Sequence, residues 1–308
     1  MTALAGTAST QIIIMFIIIL IGAASYKLKL IDKEGNRRLS DLVLLLVNPI
    51  VIFVSYQREY DASLLKGLMI SLLLATVTHF AGIGISMLFL PGKKKDYALE
   101  RFAMIYSNCG FIGIPLVNGI FGSEGVFYLT AYMTMFNLFV WTHGVILMTG
   151  KKDLKAIARE LLSPSIIATV SGFLFFLLRI SIPTVLLEPL NYLAGMNTPL
   201  AMLVAGATIA QTDIVKLLKK VRVYYVSFLK LLFMPIVMLL IFSLFEIPKI
   251  VLLTSILAAA CPTAVTITLF SIRYEKNSYY SSELFAVTTL LSIVTIPLVM
   301  TLAGFFVR

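Results

Sequence analysis

Ten apolar stretches, most of them about 17–25 residues long, leave this chain one kind of environment to fold in. They run approximately over 8–25, 40–56, 67–90, 101–121, 125–149, 164–181, 189–211, 224–246, 250–271 and 284–307. A helix of about 20 apolar residues crosses the hydrocarbon core of a bilayer. Backbone polar groups inside that core must bond within the protein, which limits the choice to helices or closed barrels. Only 13% of the residues are charged and 59% are hydrophobic, against about 25% charged in a soluble domain. The reading is an all-α integral membrane protein with ten transmembrane helices. No basic residue precedes Lys27, so the first stretch lacks the positive start of a cleaved signal peptide and is expected to remain as the first span.

The net charge of +10 would suit a nucleic-acid partner, but the positions of the charges argue against one. Lys27, Lys29, Lys33, Arg37 and Arg38 follow span 1; Lys93, Lys94, Lys95 and Arg101 follow span 3. Lys151, Lys152, Lys155 and Arg159 follow span 5, Lys216, Lys219, Lys220, Arg222 and Lys230 follow span 7, and Arg273 and Lys276 follow span 9. The other side holds Arg58, Lys66, Arg179, Lys249 and Arg308, a division of 20 against 5. Excess Lys and Arg mark the cytoplasmic side. The expectation is a multi-pass protein of the cell (inner) membrane with both termini outside. Cys109 and Cys261 read as small buried hydrophobes. Two cysteines and two distant histidines have no metal-site spacing, so no metal or cofactor is expected.

Two spans are interrupted. The run SNCGFIGIPLVNGIFG at 107–122 sets five helix-weakening residues, Gly110, Gly113, Pro115, Gly119 and Gly122, and two amides, Asn108 and Asn118, into an apolar stretch. The second break falls at Ala260-Cys261-Pro262-Thr263. Irregular backbone at membrane depth is tolerated where it is buried in protein or lines a wet cavity. Broken helices in corresponding halves point to a transporter's binding site.

The two halves run in parallel. Spans 1 and 6 are plain, and span 2 carries Asn48-Pro49 where span 7 carries Asn197-Thr198-Pro199. Spans 3 and 8 are long, span 8 again plain, spans 4 and 9 are broken, and spans 5 and 10 are polar. Asn48 admits two readings, a tolerated proline kink or an amide turned towards a site. His79 in span 3 and His143 in span 5 are the groups expected to titrate near neutral pH inside the membrane. Asn137 and Trp141, four apart, share a helix face. Five spans per copy is an odd number, so the second copy enters the membrane in the opposite sense, an inverted-topology repeat.

These stretches resemble the auxin efflux carrier family of bacterial organic-acid permeases and plant carriers. SNCGFIGIPLVNGIFG at 107–122, PLAMLVAGATIA at 199–210, and ACPTAVTITLF followed by LFAVTTLLSIVTIPLV carry the match. The resemblance implies a fold like that of sodium/proton antiporters and bile-acid transporters. Spans 1, 2, 6 and 7 would form a dimerising scaffold, from segments 1–62 and 164–215. Spans 3–5 and 8–10 would form a mobile transport domain, from segments 63–150 and 216–308, with a cytoplasmic linker at 151–163. Spans 4 and 9 would cross at Pro115 and Pro262. Asn108 matches the asparagine before the crossing, and Asn137 stands where plant members have a glutamine, with Trp141 in step. The long central loop of many plant members is absent.

Two helix starts facing each other at mid-membrane offer unpaired backbone N–H groups and positive dipole ends to a carboxylate. No Lys, Arg or acid is expected near either break. The expected substrate-binding residues are Asn48, Asn108, Gly110, Ile114, Pro115, Asn137, Trp141, Pro262 and Thr263, with His79 and His143 as candidate coupling groups. The function expected is secondary-active transport of a small organic anion, an auxin-like monocarboxylate or malate-like dicarboxylate, by an elevator motion of a homodimer. A channel or a cation-coupled exchanger of the same fold is the alternative. An enzyme is disfavoured because no Ser–His or Asp–Asp pair lies at mid-membrane spacing, and an ATP-driven pump because no nucleotide-binding loop is present.

Overall fold

The computed structural model describes residues 2–92, 96–151, 162–211 and 220–306. The connector at 152–161, with Lys152, Lys155 and Arg159, lies outside these residues, as do Lys93, Lys94, Lys95, Asp213, Lys216, Lys219 and Arg308. All named elements among the described residues are helices, and seven helical stretches are long and apolar enough to cross a membrane. In order, α1 spans Thr2–Lys27, α2 Lys33–Ser55, α3 Ala62–Phe89 and α4 Tyr97–Ile105. Next come α5 Cys109–Thr149, α6 Pro164–Leu177, α7 Thr184–Ala210 and α8 Val221–Phe242. α9 is Lys249–Ala260, α10 Thr266–Arg273 and α11 Ser278–Phe306.

The helix boundaries have local causes. Asp32 and Asp61 cap α2 and α3, their carboxylates accepting the backbone N–H of Gly35 at 2.6 Å and of Ser63 at 2.7 Å. Acceptance of the Ser63 N–H holds the Asp61 carboxyl below its ordinary range. Pro164 opens α6 in its first turn, where a missing N–H leaves no bond unmade. Gly122 divides α5: its φ of +64° is open to glycine and strained for most other residues.

Packing on α1 is set by two glycines. A Cβ on Gly206 would lie 1.9 Å from the Ile19 carbonyl oxygen, and one on Gly22 would lie 2.3 Å from that of Leu203. α1 and the second half of α7 therefore cross with backbones nearly in contact, the small-residue packing typical of membrane helices. α2 packs against α6, α3 against α5, and α9 is buried among α5, α3 and α11. In α2 a π-turn over Val43–Val47 precedes Asn48 and Pro49, which sit in the next α-helical segment. The extra residue in the turn accommodates the proline and leaves Asn48 buried, facing inward.

The sequence expectation that span 8 is plain is corrected here. α8 contains a π-turn, Leu229–Phe233, and within it Lys230 is 1% exposed. Lys230 thus belongs to the interior of a span and not to the cytoplasmic loop charges.

Candidate substrate site

Chain and backbone meet where α4 ends. Residues Tyr106–Asn108 leave the helical path and pair antiparallel with the segment after α9, Ser107 opposite Thr263. Asn108 donates its backbone N–H to the Pro262 carbonyl at 2.7 Å, and Ala264 donates to the Tyr106 carbonyl at 2.9 Å. Each break satisfies the other's orphaned backbone groups, as hydrocarbon surroundings demand. Thr263 fixes the register: its hydroxyl donates to the Ala103 carbonyl at 2.9 Å, and its N–H to the Thr288 hydroxyl at 3.2 Å.

The crossing is therefore at Ser107 and Thr263, and the expected crossing at Pro115 is corrected. Pro115 lies in the first turn of regular helix, after a π-turn over Cys109–Gly113 whose Ile112 and Gly113 amides both donate to the Asn108 carbonyl. Pro115 has no N–H to offer the carbonyls of that π-turn, and the Gly110 carbonyl accepts from the Asn48 side chain instead. Pro262 does stand at the crossing, contributing its carbonyl.

One face of the crossing borders a cavity of about 220 Å³. Asn108, Gly110, Asn137, Trp141 and Asn48 of the expected site all line it. Ile114, Pro115, Pro262 and Thr263 do not; Ile114 and Thr263 are fully buried behind the wall. The starts of α5 and α10 both border the cavity, through Gly110 and Phe111 on one side and Ala264, Val265 and Thr266 on the other. Three buried donors converge there without a partner in the protein: Asn108 Nδ2, Thr266 Oγ1 and Ser163 Oγ. No Lys, Arg, His, Asp or Glu is among the described lining residues. A buried polar group left unpaired costs about 1–3 kcal/mol, and three such groups border this one small cavity. Ser163 was missed by sequence reasoning, because serine is too common in membrane helices to stand out; Thr266 was legible as one of the hydroxyls after the second break able to reach a freed carbonyl or a ligand.

Asn48 is tied down differently. It donates to the Gly110 carbonyl at 3.2 Å and accepts from Asn197 Nδ2. The two asparagines that echo each other in the sequence thus touch, and together they hold α2 and α7 to the start of α5. Trp141 packs edge-on to Phe270, with ring centroids 5.0 Å apart.

Neither histidine reaches this cavity. His79 is buried in α3, its Nδ1 2.7 Å from the Ala75 carbonyl and its ring stacked on Phe139. His143 Nδ1 is 2.8 Å from the Tyr106 hydroxyl and borders a separate cavity with Asp96, Arg101 and Lys276. Both rings flank Tyr106, with centroids 6.1 and 6.2 Å from it.

The expectation of no charged side chain near the breaks is overturned by Lys230. Its ammonium donates to the Ser107 hydroxyl and, at 3.3 Å, to the Ala259 carbonyl. A long, flexible stem carries the charge from α8 to the crossing. The histidines are therefore not the only ionisable groups inside the spans. A second buried charge, Glu100 in the first turn of α4, accepts from Arg222 at 2.8 and 2.6 Å and from the Tyr280 hydroxyl at 3.0 Å. This ion pair joins α4, α8 and α11.

A multi-helix membrane body with two mutually stapled helix breaks beside a small, mostly apolar cavity with a few polar groups fits a membrane transport protein. The sequence comparisons agree: the family model described as "Membrane transport protein" matches residues 7–158 and 153–300. The chain belongs to that family, the auxin efflux carriers. It is 25% identical over 94% of its length to an uncharacterized transporter of Methanothermobacter thermautotrophicus, covering 97% of that protein. It is 24% identical over 92% of its length to the uncharacterized transporter YfdV of Escherichia coli K12, covering 94% of it. A provisionally assigned malonate transporter of Rhizobium meliloti is 26% identical over 65% of each chain.

Proposed function

We propose that this protein is a secondary-active carrier of small organic anions, a monocarboxylate or a short dicarboxylate such as malonate or malate. The observation that carries the reading is the convergence of Asn108 Nδ2, Thr266 Oγ1 and Ser163 Oγ on one cavity bounded by two helix starts. All three can donate hydrogen bonds, helix starts favour negative charge, and no carboxylate among the described lining residues competes for them. The volume suits a few-carbon acid better than a drug-sized ligand, whose pockets run about 300–1,000 Å³. The name of the Rhizobium relative fits this class.

In this proposal Asn108 and Thr266 hold the carboxylate, Gly110 lets it approach the backbone, and Asn137 and Trp141 close the far side. Segments 63–150 and 216–308 move together past a scaffold of 1–62 and 164–215, in an elevator-type exchange within a homodimer. Ten spans in two inverted repeats, with both termini outside, lie in the cell membrane. The Asn48–Gly110 bond joins scaffold to moving part in this conformation and is released when the site crosses. The test is counterflow in proteoliposomes: vesicles loaded with an unlabelled acid should accumulate the same labelled acid transiently and saturably. A flux that never saturates would make the protein a channel. A response to inorganic cations alone, with no acid in a carboxylate panel having an effect, would make it a cation exchanger.

A further inference from the structure

The cavity lies on one face of the crossing; the other face is occupied too. Ser107 and Asn108 are consecutive residues where the chain has left the helical path, and their side chains have different surroundings. Asn108 faces the cavity, and Ser107 faces Lys230. Lys230 is 1% exposed, and its described acceptors are one hydroxyl and one carbonyl, both neutral. Glu100 is engaged by Arg222 and Glu283 by Lys220. Among the described residues no carboxylate forms an ion pair with Lys230, and the ionisable groups in its field are Cys109, Cys261 and His79. A buried ammonium without a counter-ion is costly, and the cost is recovered when an anion comes near. The cradle itself, a hydroxyl and a main-chain carbonyl at a helix break, supplies two oxygens of the kind that hard cations take as ligands.

We propose that Lys230 is the resident cation of the crossing: its ammonium, held by Ser107 and the Ala259 carbonyl, stands behind the crossing as fixed counter-charge to a carboxylate bound in front of it, so that binding needs no sodium. The carboxylate arm of this inference rests on the proposed function; the cation arm does not. Lys230 touches no substrate. It acts through the field it places across one thickness of backbone, which makes it a positioning residue.

The experiment uses the purified full-length chain in detergent, with malonate as probe and melting temperature as readout, in sodium chloride and in choline chloride at equal ionic strength. The wild type should bind malonate equally in both salts. Lys230→Met, which keeps the volume and removes the charge, should melt at or above the wild type without malonate and bind it at least about tenfold more weakly, the effect of a unit charge lost at close range. Ser107→Ala, which keeps the charge and loosens its hold, should weaken binding in the same direction but less. Should Lys230→Met fail to fold, Ser107→Ala carries the test. Malonate binding by Lys230→Met or, in that case, Ser107→Ala at wild-type affinity would overturn the inference. So would a lower melting point of Lys230→Met with unchanged affinity, the mark of a structural staple. A sodium-specific rise in the melting point of ligand-free wild type would also overturn it, because the cradle would then accept a cation beside the lysine. If no carboxylate in the panel binds the wild type, the proposed function fails. The resident cation is then judged on the ligand-free melting points: indifference to sodium with Lys230→Met at or above wild type supports it, and either reverse result overturns it.

Discussion

Replacing Asn108 by alanine separates binding from folding more cleanly than any other change at the cavity. The backbone of Asn108 holds the crossing together, through its N–H to the Pro262 carbonyl and its own carbonyl to the Ile112 and Gly113 amides. Alanine keeps all three bonds. The side-chain nitrogen has no partner in the protein, so removing it breaks no donor bond of the fold and takes away one unsatisfied group. The expected stability change is under about 1 kcal/mol, the residual cost of a small void offset by the lost polar atom. In the complex the same nitrogen donates to a charged oxygen, a bond of about 1.5–3 kcal/mol, so affinity should fall about 10- to 150-fold at about 1.4 kcal/mol per decade. The assay is a malonate titration followed by melting temperature, with size-exclusion chromatography as the check on folding. An Asn108→Ala protein that folds and binds malonate with wild-type affinity would refute the reasoning and leave Asn108 as a backbone fitting only.

Three further outcomes follow from the geometry. Gly206→Val puts two methyl groups into the Ile19 backbone, where even a Cβ comes within 1.9 Å; α1 and α7 should separate, with a melting temperature many degrees lower or loss of the folded peak in detergent. Glu100→Gln leaves Arg222 without its carboxylate in a largely buried site, a change of about 3–5 kcal/mol for breaking a buried pair, lessened by the part exposure of Arg222; a melting point within one or two degrees of wild type would show that water replaces the pair. Single cysteines at Lys94 and Glu124, in a background without Cys109 and Cys261, should label from opposite faces of the membrane, and labelling from one face would overturn the proposed topology.

The all-helical membrane class was legible because apolar length is a coarse signal that dominates membrane folding. The Asn48 and Asn197 echo was legible because a proline beside an amide is rare in a span, and the two side chains do meet. The breaks were legible as regions but not as positions. Pro115 drew attention because proline is conspicuous, yet the π-turn over Cys109–Gly113 moves the departure from helix back to Tyr106. Lys230 was hidden by its place near the edge of an apolar stretch, where a lysine usually reaches back to the interface; the π-turn in α8 aims it inward instead. Ser163 and Thr266 come from opposite ends of the second half of the chain, and only the folded molecule brings them to Asn108. Glu100 and Arg222, 122 residues apart, carry no signal of their pairing in sequence at all.

The joint between the two broken helices is made of main-chain atoms, Asn108 N–H to Pro262 and Ala264 N–H to Tyr106. Every amino acid but proline supplies those donors. The donors of the joint thus do not depend on which side chain stands at 108 or 264, so replacements that fit those buried positions leave the mechanical connection as it is. A lineage can change what it carries without rebuilding how it carries it. The exception is narrow: proline at 108 or 264 deletes a donor from the joint itself, and no compensating side chain elsewhere can return it.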